Sequence, residues 1–186
     1  MRIIGGIYKN KKISLPTDKF TRPLKDMVRE SIFNIIEHSN LIKKKILDSK
    51  VLDLYSGSGS FGIECLSRGS KIVYFFENYF EAIKILEKNL SLLKNEKNFQ
   101  IFKSDCFEFF NSYQKINEKF DIIFLDPPFK EKKINELIEK IIENKILNAG
   151  GIIIIHRHKK DKIEITDKIK IFDVRNYGLS KVYFAN

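Results

Sequence analysis

The strongest constraint on the fold is an alternation that begins at residue 50. Short apolar runs of strand length (SKVLDLYS, KIVYFFE, NFQIFKSD, KFDIIFLD and GGIIIIHRH) alternate with segments of helical periodicity such as FGIECLSRG and FEAIKILEKNLSLLKN. Near-continuous apolar strands must be covered on both faces, and the intervening helices supply that cover. The pattern predicts an α/β fold with a mostly parallel sheet. The terminal KIKIFDVRNYGLSKVYFAN holds two strand-like runs around Asn176-Tyr177-Gly178, which predicts a closing antiparallel hairpin. Ahead of the alternation, residues 1–16 read as a short basic strand-like segment with a Gly5-Gly6 turn. The following LKDMVRESIFNIIEHS reads as a helix with Thr21 as its N-cap and with Val28, Ile32, Ile35 and Ile36 inward. A single domain over 1–186 is expected, with residues 1–40 as N-terminal hairpin and helix and 41–186 as the core.

An open α/β sheet binds its ligands beyond the carboxyl ends of its strands. The notable motifs fall at such ends. Asp53-Leu54-Tyr55-Ser56-Gly57-Ser58-Gly59-Ser60-Phe61-Gly62 follows an apolar strand and opens a helix. Glycines there let backbone approach a ligand closely, and the helix N-terminus offers free N–H groups. The spacing Gly57-x-Gly59-x-x-Gly62, with Glu77 ending the next strand, also fits a dinucleotide site, so a dehydrogenase stays open on this pattern alone. Asp53 argues otherwise. A carboxylate before the glycine loop repels a pyrophosphate, whereas it suits S-adenosylmethionine, which carries a sulfonium and an amino group. Glu77 has two acceptor oxygens for the two ribose hydroxyls. Asp105 ends the third strand, where it is placed to accept from an adenine amino group and to cap the next helix, while the Cys106 N–H meets a ring nitrogen.

The chemical motif is Asp126-Pro127-Pro128-Phe129, directly after FDIIFL. Two prolines cannot continue a central strand or enter a helix interior, so the chain leaves the sheet rigidly. An aromatic exocyclic amine is a poor nucleophile because its lone pair is delocalised into the ring. It must be held in line with the methyl–sulfur bond and allowed to pyramidalise. A fixed carboxylate and backbone carbonyls that accept the amino hydrogens favour that geometry, and Phe129 supplies a stacking face. Positioning is worth about 7–11 kcal/mol, against about 1.5–3 kcal/mol for one hydrogen bond to a charged group. Asp126 is thus first a positioning residue and second a proton acceptor. His156-Arg157-His158 reads as a polar strand end, because alternate strand residues face opposite sides and no third ligand for a metal is apparent. No metal is expected.

Charge points to the partner. The formal net charge is +10, yet Lys dominates over six Arg in a chain rich in Ile, Asn and Phe, a bias that an AT-rich genome imposes on all its proteins. Placement says more: Arg2, Lys9, Lys11 and Lys12 precede the first acid, Asp18, and Arg22, Lys25 and Arg29 follow. Such crowding reads as a nucleic-acid-binding arm. Cys65 and Cys106 form no metal or disulfide pattern. With no apolar run long enough to span a membrane and no signal-like N-terminus, a cytoplasmic monomer is expected.

Taken together, Met1-Arg2-Ile3-Ile4-Gly5-Gly6, Thr21-Arg22-Pro23 with Asp26, Val28, Arg29, Glu30, Phe33 and Asn34, the DLYSGSGSFGIE loop, DPPF and Asn176-Tyr177-Gly178 resemble the RsmD-type 16S ribosomal RNA guanine-N2 methyltransferases. The glycine loop and DPPF are shared with many amino-methyltransferases, so the TRP…VRESIFN segment carries the specificity of this resemblance. It implies a Rossmann-like class I methyltransferase fold with seven strands and an N-terminal hairpin on the RNA side. The substrate it implies is 16S rRNA within the assembling small subunit. Carried over by position, Asp53, Tyr55, Gly57, Ser58, Gly59, Phe61, Glu77, Asn78, Asp105 and Cys106 would bind cofactor. Asp126, Pro127, Pro128 and Phe129 would hold the base, and Arg2, Lys9, Lys11, Lys12, Arg22, Lys25 and Arg29 the RNA. Phe129 stands where tyrosine is usual, Leu24 replaces a common threonine, and Leu179-Ser180 replaces a Lys/Arg-Thr type pair. Two other readings remain: methylation of adenine N6 or cytosine N4 in DNA, and a non-catalytic nucleic-acid-binding domain.

Overall fold

The computed structural model describes residues 1–17, 23–94, 97–110, 118–128, 130–161 and 169–186. Among them, seven strands form one sheet: β1 (Lys50–Leu54), β2 (Ile72–Phe76), β3 (Phe99–Phe102), β4 (Phe120–Leu125), β5 (Leu147–His158), β6 (Ile171–Tyr177) and β7 (Ser180–Ala185). The helices are α1 (Asp26–His38), α2 (Ser60–Ser67), α3 (Phe80–Ser91) and α4 (Ile134–Glu143), and residues 106–110 are also helical. The strand order is β3-β2-β1-β4-β5-β7-β6. The first five positions run parallel. The expected closing hairpin inserts β7 antiparallel between β5 and β6.

Period-two alternation divides the strands between two apolar layers. Val51, Val73, Phe75, Ile122, Phe124, Ile152, Ile154, Val182 and Phe184 face α1, α2 and α3. Leu52, Leu54, Tyr74, Phe76, Ile123, Leu125, Ile153, Ile155 and Tyr183 face α4 and the helical residues 106–110. Side chains of this size each contribute about 1.5–3 kcal/mol on full burial. A one-residue slip in any central strand would exchange the two layers, so the register is tightly specified.

Two boundaries differ from expectation. Helix α1 begins at Asp26, with Lys25 as an N-cap that makes no side-chain capping bond; the expected cap Thr21 lies outside the described residues. The first-turn acid Asp26 instead complements the helix dipole and pairs with Arg29 one turn on. Strand β5 starts at Leu147 rather than Gly150, with an irregularity against β4 between Phe120 and Ile122. Gly150 adopts φ +75°, and a Cβ on Gly151 would stand 2.9 Å from the Asp121 carbonyl oxygen, so this glycine pair makes the close passage possible.

The N-terminal segment does form a hairpin, reduced to one antiparallel bridge, Arg2 to Lys12. It is pinned to α2. The Ile4 and Gly5 N–H groups donate to the buried Glu64 carboxylate at 2.8 and 2.7 Å, and Ile7 N–H donates to Ser67 O at 2.7 Å. Gly6 sits at φ +74°, where a Cβ would stand 1.8 Å from Ser67 O. Ile3 and Ile13 are buried in the same layer as α1.

Candidate active site

The carboxyl ends of the parallel strands open into a cleft of about 530 Å³, within the range of small-molecule sites. On one side lies the loop from β1 to α2. Tyr55 turns into the left-handed region at φ 62°, Gly57 follows at φ 55°, and Gly59 caps α2 at φ 79°. Ser56 ties the loop down: its hydroxyl donates to Asp53 O at 2.6 Å and its N–H to Phe76 O at 2.9 Å. The third glycine serves packing, because a Cβ on Gly62 would stand 2.3 Å from the Phe75 ring.

Glu77 joins the strand ends. It accepts from Gly57 N–H at 2.7 Å with one oxygen, and from Asn78 and Tyr79 N–H at 3.0 and 2.9 Å with the other. Asp105 caps residues 106–110 through Phe107 N–H at 2.8 Å and receives Asn78 Nδ2 at 3.1 Å. Glu77, Asn78 and Asp105 line the cleft along with Tyr55, Gly57 and Ser58. Cys106 borders a smaller adjoining recess with Tyr55 and Ser104, and burial pushes its thiol up to about 12.

Asp53 stands behind this wall, 1% exposed. One carboxylate oxygen accepts Gly62 N–H at 3.0 Å; the other has no hydrogen-bond partner among the described residues. Burial, only partly offset by the Gly62 N–H, raises its pKa well above the usual carboxylate range, and the charges of Asp126 and Glu77 add to the rise. Five carboxylates (Asp53, Glu77, Asp105, Asp126 and Glu131) thus belong to one cleft and its wall. A cationic ligand suits such a place and an anionic pyrophosphate does not.

Across the cleft, β4 ends at Leu125 and Asp126, Pro127 and Pro128 form the wall. Asp126 Oδ1 lies 2.7 Å from His156 Nδ1. Arg157 donates to Pro128 O and to Glu131 O, each at 3.0 Å, and its guanidinium pairs with Asp161 at 2.9 Å. The turn after the prolines is also closed by Glu131 N–H to Pro128 O at 2.8 Å.

With that geometry in view, a model of the family described as "Conserved hypothetical protein 95" matches residues 1–186. The chain belongs to this family, the RsmD-type methyltransferases. Among relatives, the YlbH protein of Bacillus subtilis (strain 168) is 33% identical over 183 residues, 98% of this chain and 96% of that protein. The Haemophilus influenzae protein named ribosomal RNA small subunit methyltransferase D is 33% identical over 167 residues, 89% of this chain and 82% of that protein. The solved structure of the yhhF protein of Escherichia coli has a TM-score of 0.82 at 25% identity, covering 100% of this chain and 96% of that one. The Rossmann-like class I methyltransferase fold that the resemblance implied is therefore the fold of this family member.

Two residues expected at this member's ligand sites lie elsewhere. Phe61 is a core residue: its ring stacks on Phe124 at 4.0 Å and on Phe33 at 5.1 Å, so it shapes the loop from beneath and does not line the cleft. Arg29 is 0% exposed, with its guanidinium on Arg2 O and Asp26. It anchors the hairpin to α1 and has no surface to offer a phosphate. Of the other basic candidates, Arg2, Lys9, Lys12 and Lys25 are exposed. Lys11 is half-buried, with Nζ on Leu92 O at 2.8 Å and over the Tyr8 ring. Arg22 and Phe129 lie outside the described residues.

Four residues of structural weight were missed. Glu64 holds the hairpin, and Asn89, fully buried, ties Ser14 to Ser58 through its side-chain amide. His156 and Arg157 hold the Asp126 loop. For these last two a signal existed: they directly follow the run Ile152–Ile155, and pairing that run beside FDIIFL brings His156 level with Asp126 and Arg157 one residue beyond.

Proposed function

We propose that this chain transfers the methyl group of S-adenosylmethionine to the exocyclic N2 of a guanine in 16S ribosomal RNA. The observation that carries the reading is the opposition, across one cleft, of the Glu77-braced glycine loop and the Asp126-Pro127-Pro128 wall. S-adenosylmethionine is the cofactor, and bound there it supplies an electrophilic methyl on a sulfonium centre. Glu77 retains acceptor capacity for ribose hydroxyls, since a carboxylate accepts about four hydrogen bonds and three backbone donors are already on it. Asp105 and the Cys106 N–H bound the adenine end. Asp53, buried and half-satisfied, offsets positive charge from behind the loop.

The target amine is held by the opposite wall. Asp126 accepts one amino hydrogen and Pro127 O is a candidate for the other, so the nitrogen is drawn toward the pyramidal shape in which its lone pair is free. Held by the glycine loop, Glu77 and Asp105, the cofactor would supply its methyl group to that nitrogen, and Asp126 would accept the proton that the amine gives up. A paired guanine must leave its stack to reach this depth. Guanine and the small subunit rest on family membership, since DPPF alone suits adenine N6 and cytosine N4 as well.

The test is methyl incorporation from labelled cofactor into small-subunit particles, free 16S rRNA and DNA, followed by mapping of the modified nucleotide. Label at guanine N2 of 16S rRNA is expected. Label confined to DNA would replace this reading with the DNA amine alternative, and failure to bind S-adenosylmethionine by calorimetry would favour a non-catalytic binding domain.

A further inference from the structure

We propose that His156 is a positioning residue for methyl transfer, holding Asp126 by one carboxylate oxygen so that the other stays available to the target amine. The inference rests on the amine-methylation reading above and goes beyond it in assigning the residue that orients the motif.

The placement follows from register. Leu125, the last residue of β4, pairs with Ile155 of β5. Strand β4 stops there while β5 runs on to His158. The extra length of β5 therefore lies as a splint beside the chain that leaves β4, and His156 is the first splint residue. On its other side His156 pairs with Val182 of β7, so its backbone is fixed by that strand.

His156 has a side chain 5% exposed, whereas the Asp126 side chain is 18% exposed, and both line the cleft. An ionised carboxylate can only accept, so in that state the shared hydrogen sits on Nδ1 and the ring donates. Without that bond the terminal carboxylate torsion of Asp126 is broad and roughly two-fold. The amine would then meet a rotating acceptor, and a misplacement of order 1 Å at a reacting group is worth about a hundredfold in rate. Arg157 complements this grip by holding the backbone of the same loop at Pro128 and Glu131. Both lone pairs of Pro128 O are already committed, to Arg157 and to Glu131 N–H. The side-chain acceptor whose orientation is left to control is Asp126, and His156 controls it.

The experiment compares wild type with His156→Leu, His156→Asn and His156→Gln. Asn places an amide nitrogen near the Nδ1 position, whereas Gln places it near the far side of the ring. Steady-state methylation of small-subunit particles gives kcat and the RNA KM, calorimetry gives the S-adenosylmethionine Kd, and thermal unfolding reports integrity. His156→Leu and His156→Gln should lower kcat by about tenfold or more, with Kd and KM within about twofold of wild type. His156→Asn should recover most of the loss. If the Leu variant does not fold, the comparison of Asn with Gln decides alone. Unchanged kcat in Gln, an Asn variant as impaired as Gln, or a loss carried by Kd or KM would each overturn the proposal. Should wild type methylate DNA and not rRNA, the substrate reading falls while the same split is read on DNA.

Discussion

At the residue scale, the site is a set of carboxylates whose environments differ, and two of them make separable predictions. Asp126→Ala should lower turnover by about a hundredfold or more, because positioning of the nucleophile dominates the barrier. Cofactor affinity should stay within about twofold; a large loss of affinity by calorimetry would place Asp126 on the wrong side of the cleft. Asp53 is tested through pH. Burial raises its pKa in the folded state, so that state holds the proton more firmly than the unfolded chain does. Its contribution to stability is therefore fully present below the unfolded pKa and is lost as pH rises through the folded one. Asp53→Asn removes the titration and keeps an acceptor for Gly62 N–H. The midpoint difference between Asp53→Asn and wild type, measured by thermal unfolding without cofactor, should become more favourable to the variant as pH rises from about 4 toward 8. A difference constant with pH would mean that Asp53 does not titrate with folding.

At the scale of elements, the fold was legible because apolar periodicity and strand-end motifs agree. The seven strands, the closing hairpin and the strand-end placement of Asp53, Glu77, Asp105 and Asp126 are all set by local pattern and by the parallel crossover rule. What escaped were side chains whose role depends on a neighbour distant in sequence. Arg29 reads as an RNA-facing cation until α1 and the hairpin enclose it, and Phe61 reads as a loop residue until Phe33 and Phe124 stack on it. Arg157 reads as part of a polar strand end until β5 is seen to outrun β4. That last element supports a prediction. Arg157→Leu releases Pro128 O and Glu131 O together, so the loop that follows Pro128, which carries Lys130, Lys132 and Lys133, should be cleaved faster by trypsin while β1 and α2 stay protected. Methyl transfer should fall with it, and equal cleavage of wild type and variant would show that the prolines alone hold the loop. Gly62→Ala tests the packing of α2 on the sheet. Its Cβ would stand 2.3 Å from Phe75 Cε1 and 2.9 Å from Val73 Cγ1, so a loss of about 1–3 kcal/mol is expected in chemical denaturation.

At the scale of the whole molecule, a chain of net charge +10 gathers carboxylates at its cleft. That distribution separates two tasks, since a cationic cofactor is drawn to the cleft while a polyanion must be met by cations away from it. The hairpin supplies candidates, but not as a uniform arm. Its turn docks at the C-terminal end of α2, beside Ser67, and the cleft lies at the N-terminal end, about 12 Å away for an eight-residue helix. Lys9 and Lys12 are exposed there, whereas Lys11 is held on Leu92 O by its own ammonium. If the RNA reaches across this face, each phosphate met by a lysine contributes about 0.7–0.9 to the slope of log affinity against log salt. Replacing Lys9 and Lys12 together by alanine should therefore weaken RNA binding and flatten that slope by about 1.4–1.8. Lys11→Ala should leave the slope nearly unchanged and act through stability, because its charge already serves the end of α3. Gel-shift titrations at several salt concentrations distinguish the two outcomes. An unaltered slope in the double variant would confine the hairpin to its structural role on Glu64 and Ser67 and move the RNA-binding surface to the cleft mouth, where Lys130 stands.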